Sequence, residues 1–216
     1  MRRSILAAAV LSTLALSAVP SAAGVSFGAD VVNRYVWRGT DFGNAASVQP
    51  GISYSIGKVD VGAWSSWAIN NGSANENDVY VSLSAGPVGI TVTDYFFPST
   101  HANDNFFSFG DGDGVHVLEA SASLSLEDMP VSLMAAFNFS GDSESSFWIE
   151  ASYDVGEIDE TAVSFAVGAG NGVYTTDTKP MLASIGVNLS KDGYSAAYIL
   201  NPDKETTFLV FGKSFS

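Results

Sequence analysis

Charged side chains are scarce in this sequence, 15% of its residues, so those that recur in phase carry the argument. Arg34 and Arg38 stand four apart, in phase with Asp30. Asp60, Asp78, Glu119, Glu150 and Asp154 each alternate with aliphatic residues and share their phase with Ser, Gly, Ala or Thr. At period 2 these eight side chains project from one face of β-strands. Arginines facing carboxylates can act in two ways. Around water they create a transverse field that orients permeating solutes. In a narrow interior they pair and brace the wall, because an unpaired buried charge is costly. Both readings stay open here. In the bracing reading Arg34, for example, would find an acidic partner across the interior; Arg38, nearer a strand end, is expected to be solvated.

Other chemistry is poorly provided for. A serine nucleophile needs a base beside it. The two histidines, His101 and His116, are followed two positions on by Asn103 and Leu118, so neither forms a dyad on one strand face. His116 has the phase of the apolar face and is expected at a lipid interface. No catalytic residue is assigned, and the chain is read as a non-enzyme. The sequence has no Cys, hence no disulfide and no thiolate metal site. Asp111 and Asp113, within Gly110–Gly114, supply part of a calcium loop's ligands. The third ligand and the closing Glu of an EF-hand are missing, so no metal site and no cofactor are assigned. The same loop, 98–114, holds Phe106, Phe107 and Phe109. Folding into the interior as a constriction is one way to bury those rings.

The elements that would position these groups are strands. Residues 1–23 read as a secretory signal peptide: Arg2 and Arg3, an apolar stretch from Ile5 to Leu16, and the small exit Ser21-Ala22-Ala23. Residues 24–216 then form one domain. Their alternation defines about twelve segments, the first over 29–39 and the last over 208–215. Short and long connections alternate, the short ones after even-numbered strands. This parity, a mean hydropathy of +0.19 and the lack of a helix-length apolar run after the leader point to an all-β, antiparallel, up-and-down transmembrane barrel with periplasmic termini. In that setting aliphatic and aromatic residues face lipid and the charges face a lumen. Trp37, Trp67, Phe96, Phe139 and Phe147 fall near one set of strand ends, and Phe27, Tyr54, Tyr153, Tyr194 and Phe215 near the other, as two interfacial girdles.

The stretch Asn33-Arg34-Tyr35-Val36-Trp37-Arg38-Gly39 and the ending Gly212-Lys213-Ser214-Phe215 resemble the terminal motifs of the TorF-type porin family. The resemblance implies a small bacterial outer-membrane protein with a porin-like role and no catalytic residues. Phe215, next to last, is similar to the aromatic ending by which such barrels meet the barrel assembly machinery.

A formal charge of −14 argues against nucleic acid as a partner, since phosphates need Lys and Arg. The expected function is passive diffusion of small hydrophilic solutes across the bacterial outer membrane, with weak cation preference from an acidic lumen and mouth. Asp41, Glu76, Asp104, Asp142, Asp177 and Asp203 are among the acids assigned to external loops. Lipid and lipopolysaccharide are the expected surroundings. The alternative is a non-conducting barrel that serves structure, adhesion or partner binding through those loops.

Overall fold

The computed structural model describes residues 24–70, 75–98, 106–109, 115–126 and 128–216. The leader 1–23 and the calcium-loop aspartates Asp111 and Asp113 lie outside them. Fourteen strands are present among the described residues: β1 (Gly24–Val32), β2 (Val36–Trp37), β3 (Thr40–Asp41), β4 (Ser47–Ile56), β5 (Val59–Ala68), β6 (Glu76–Ala85), β7 (Val88–Phe96), β8 (His116–Ser125), β9 (Val131–Ser140), β10 (Phe147–Ile158), β11 (Thr161–Gly172), β12 (Thr178–Lys191), β13 (Tyr194–Asn201) and β14 (Thr206–Phe215). Twelve of them close an antiparallel barrel in which each strand pairs with its neighbour in sequence and β1 joins β14 to β4. Closure leaves no sheet edge. Strands β2 and β3 form a separate hairpin.

Alternation sorts the wall as expected. Ile52, Val81, Ile90, Leu133, Phe165 and Leu209 are exposed on the outside. The register pairs Gln49 with Asp30, Thr93 with Glu119 and Asn188 with Ser164 on the inside. Exposed Phe27, Tyr54, Tyr153, Tyr194 and Phe215 ring the end where the tight turns lie, and Trp67 and Phe139 stand near the other. We call these the short-turn and long-loop ends. Both chain ends of the wall are at the short-turn end, where Ala29 pairs with Phe215.

The first strand departs from expectation. It was expected to run to Gly39 but stops at Val32. Asn33 ends it by serving the edge of β14 itself: its backbone N–H donates to Phe211 O at 2.9 Å, its side-chain N–H to Leu209 O at 3.2 Å, and its Oδ1 accepts from Phe211 N at 2.7 Å. The chain then turns into the barrel. Arg38 (φ 49) and Gly39 (φ 73) are the two central residues of the β2–β3 turn, the positive-φ pair that matches strand twist in a two-residue hairpin. Gly39 lies so close to Ala183 O that a Cβ there would overlap it.

Two phase slips follow from bulges. In β12, Gly168 pairs with Ser184 but Ala169 with Leu182, so Ala183 is an extra residue and is fully buried. Met181 and Ala183 therefore do not continue the outward phase of Ile185. In β10 a bulge lies between Asp154 and Gly156, and the strand continues to Ile158.

Candidate functional site in the barrel lumen

The inserted hairpin divides the lumen. Val36 is 1% exposed and packs with Ala197, Ile199 and Val210 on one side. Trp37 packs on the other, with Trp148, Tyr174 and Ala183. Trp37 and Tyr35 therefore do not face lipid. Tyr35 is buried between Phe42 and Trp64, and Trp37 meets Tyr95 and Tyr174 edge-on or tilted. Burying aromatic rings is strongly favourable, and a hairpin turned inward achieves it where a wall strand would leave them outside. Two polar ties hold its tip: Asn201 Nδ2 donates to Gly39 O at 2.9 Å and Lys204 Nζ to Thr40 Oγ1 at 2.8 Å.

Arg38 is the centre of the arrangement. Its guanidinium grips Glu119 through two nitrogens, at 2.5 and 3.0 Å, donates to the Tyr174 hydroxyl and lies 4.3 Å from the Trp37 ring centroid. Tyr95 donates to the same carboxylate at 3.1 Å. Both members of the ion pair are 3% exposed. Arg38 is thus desolvated, not solvated, and spans from hairpin to wall. Arg34 does the reverse: it stays partly exposed, pairs with Asp41 of its own hairpin and sits over Phe208. Its partner is local because Arg34 precedes the turn that carries Arg38 inward.

The other expected lumen residues fall into two groups. Asp78 is 2% exposed and faces the hairpin with Glu119; Glu150 accepts from Trp148 Nε1 at 3.3 Å. Asp30, Asp60 and Asp154 belong to the short-turn half. Asp60 accepts from Ser55, and Asp154 accepts from Gly156 N at 2.8 Å. Glu76 corrects the loop assignment. It opens β6, is 3% exposed and accepts from Tyr35 OH at 3.2 Å. Its phase relative to Asp78, two residues on, was the available signal. Tyr174, in the connection between β11 and β12, was not singled out from the sequence.

Phe106, Phe107 and Phe109 do not constrict the lumen. They lie on the outer face, where Phe96 and Phe109 stack on the His116 ring at 4.8 and 4.0 Å and Phe106 meets it edge-on. His116 has the outward phase but is 1% exposed. Its Nδ1 is 2.8 Å from Asp94 Oδ1 and its Nε2 2.6 Å from Phe106 O. The register pairs His116 with Phe96 and Leu118 with Asp94, so the sheet aims this cluster away from the lumen.

Several loop acids are also occupied. Asp177 pairs with Lys179 at 2.9 Å. Asp203 accepts from Thr176 N at 2.7 Å. Asp142 collects Asn138 Nδ2 and Ser146 N, both at 2.9 Å, and Glu144 N at 3.0 Å. Burial works to raise the Asp142 carboxyl, but these donors outweigh it and hold the group below the ordinary aspartate value.

No family model matches the chain, and no curated relative does. Among solved structures, a mutant of the Rh. blastica porin aligns with a TM-score of 0.42 at 11% identity, over 78% of this chain and 55% of that one. The chain thus spans about half the length of that porin.

Proposed function

We propose that this protein is an outer-membrane barrel of porin-like type whose lumen is closed by the β2–β3 hairpin and passes small hydrophilic solutes when the hairpin moves. The supporting observation is the contrast between wall and plug. The outer wall is a continuous apolar surface bounded by aromatics, as a bilayer requires. The inner wall is polar, and its occlusion at the long-loop end depends on one short hairpin rather than on wall side chains alone. In this reading the leader directs export, the short turns are periplasmic, and lipopolysaccharide surrounds the long-loop end. Glu76, Asp78, Glu119 and Glu150 against Arg38 give the passage a weak cation preference.

Planar-bilayer conductance tests this reading. The refolded mature barrel is expected to give rare or small steps. A variant with residues 35–42 replaced by a short Gly-Ser linker is expected to give frequent discrete steps and a cation-positive reversal potential. The tight packing around Trp148 and Tyr174 favours one second reading, a non-conducting barrel that acts through its loops. Silence in a folded hairpin-deleted barrel would establish that reading instead.

A further inference from the structure

This inference rests on the gated-channel reading. Three carboxylates beside the hairpin, Glu76, Asp78 and Glu119, are each at most 3% exposed. The one guanidinium among them, Arg38, is committed to Glu119. Glu76 and Asp78 stand two apart on β6, on one face, with their carboxyl groups within hydrogen-bonding range of each other. Glu76 Oε2 and Asp78 Oδ1 are buried and meet no donor. Two ionised carboxylates are both acceptors, so a hydrogen bond between them needs a proton. Buried like charges at that range, with no cation of their own, do not both ionise.

Among the described residues, the strands around the pair add no further lysine or arginine. Strand β5 sets Trp64 opposite Asp78 and Ser66 opposite Glu76. Strand β7 sets Tyr95 opposite Asp78 and carries Asp94, whose charge also acts on Asp78, as does that of Glu119 on β8. The hairpin contributes the Tyr35 hydroxyl and the distant charge of Arg38.

We propose that the Glu76–Asp78 pair holds one proton between its carboxyl groups while the hairpin is seated, and that losing this proton unseats the hairpin, so the lumen opens as pH rises. The step balances simply: the shared proton leaves to solvent and two carboxylates remain. The second negative charge requires water, and water enters where Tyr35 withdraws from Glu76. The closed state then binds one proton more than the open state. The open-to-closed ratio rises with pH, by at most about tenfold per pH unit.

The test reads hairpin exposure directly, without conductance. The protein has no cysteine, so Val36→Cys, at a position 1% exposed, places a single thiol under the seated hairpin. Its labelling rate by a small maleimide is compared with that of the same variant carrying Glu76→Gln and Asp78→Asn. Comparison at each pH cancels the thiol's own pH dependence. The expected ratio is near one at about pH 5 and reaches about tenfold or more on the alkaline side. A ratio that stays constant with pH overturns the proposal. If Val36→Cys fails to assemble, amide exchange at Phe42, whose N–H donates to Tyr35 O at 2.8 Å, gives the same comparison with the same two outcomes. A hairpin-deleted barrel that never conducts would defeat the channel reading while leaving the labelling result intact.

Discussion

The two halves of the lumen are built on opposite principles. Toward the long-loop end, Trp148, Tyr35, Tyr95 and Tyr174 and the Arg38–Glu119 pair are all nearly inaccessible, and the interior is packed like a soluble core. Toward the short-turn end, Ser82, Thr91, Ser121, Ser132, Ser152 and Ser164 line the wall half-exposed, with no element inserted between them among the described residues. The wall is the same twelve-strand cylinder throughout, so the difference lies in the hairpin. A barrel this narrow becomes a core wherever an element enters it and remains a solvated cup wherever none does. Mutations should therefore be costly above and cheap below.

The largest effect is expected at Arg38. Replacing it with Ala leaves Glu119 buried and unpaired, which costs ~3–5 kcal/mol when one partner of a buried pair is removed. Urea unfolding of the refolded barrel in detergent should show this loss, and Arg34→Ala should show a fraction of it, because that pair is partly exposed. Equal losses in the two variants would break the comparison, by showing that the deep pair contributes no more than the one at the mouth.

Glycines sharpen the contrast at the level of single methyl groups. A Cβ at Gly168 would overlap the indole of Trp148, a ring with no room to move. Overpacking of that kind costs ~1–3 kcal/mol. A Cβ at Gly89 in the lower half would come 2.6 Å from Ser123 Oγ alone, and that exposed hydroxyl can rotate away. Gly168→Ala should lower the unfolding midpoint clearly, and Gly89→Ala should leave it nearly unchanged. A lower half as sensitive as the upper would mean that it too is packed.

Much of the wall was legible because period-2 alternation is set by the strand backbone and survives in every segment without a bulge. The exposed aromatic residues at strand ends, such as Phe27, Tyr54, Trp67 and Phe139, were legible for the same reason, whereas Trp37 was misplaced among them. The hairpin was not, because Val36 and Trp37 alternate as a wall strand would; only the positive-φ turn at Arg38–Gly39 distinguishes them, and Arg at such a position gives little warning. Ala183 shows a second blindness: one extra residue reverses the phase and leaves no mark in composition. The candidate site was half visible. Arg38, Asp78, Glu119 and Glu150 were placed on the inner face, but the pairing of Arg38 with Glu119 joins positions 81 apart, a choice that depends on where the hairpin enters. The phenylalanines of the long loop were misplaced because a hydrophobic loop can be buried on either side of a barrel wall, and the stacking partner His116 lay on the outer one.

A milder pair of tests separates the hairpin's tethers from the wall's own loops. Asn201 is completely buried, donates to Gly39 O and accepts from Lys204 N at 2.9 Å. Asn201→Ala should cost ~1–3 kcal/mol by stranding those groups and should speed amide exchange in the hairpin. Asp142 holds the β9–β10 turn instead, and its effect follows pH. Because its folded carboxyl lies below the ordinary aspartate value, its stabilisation is complete above that value and disappears as pH falls through the lowered one. Amide exchange at Glu144 and Ser146, corrected for intrinsic rates, should therefore accelerate only in strong acid, and Asp142→Asn should abolish the acid step while leaving hairpin exchange unchanged. If the hairpin loosened together with the turn, the plug would have to be one cooperative unit with the wall, and the division between the two halves of the lumen would dissolve.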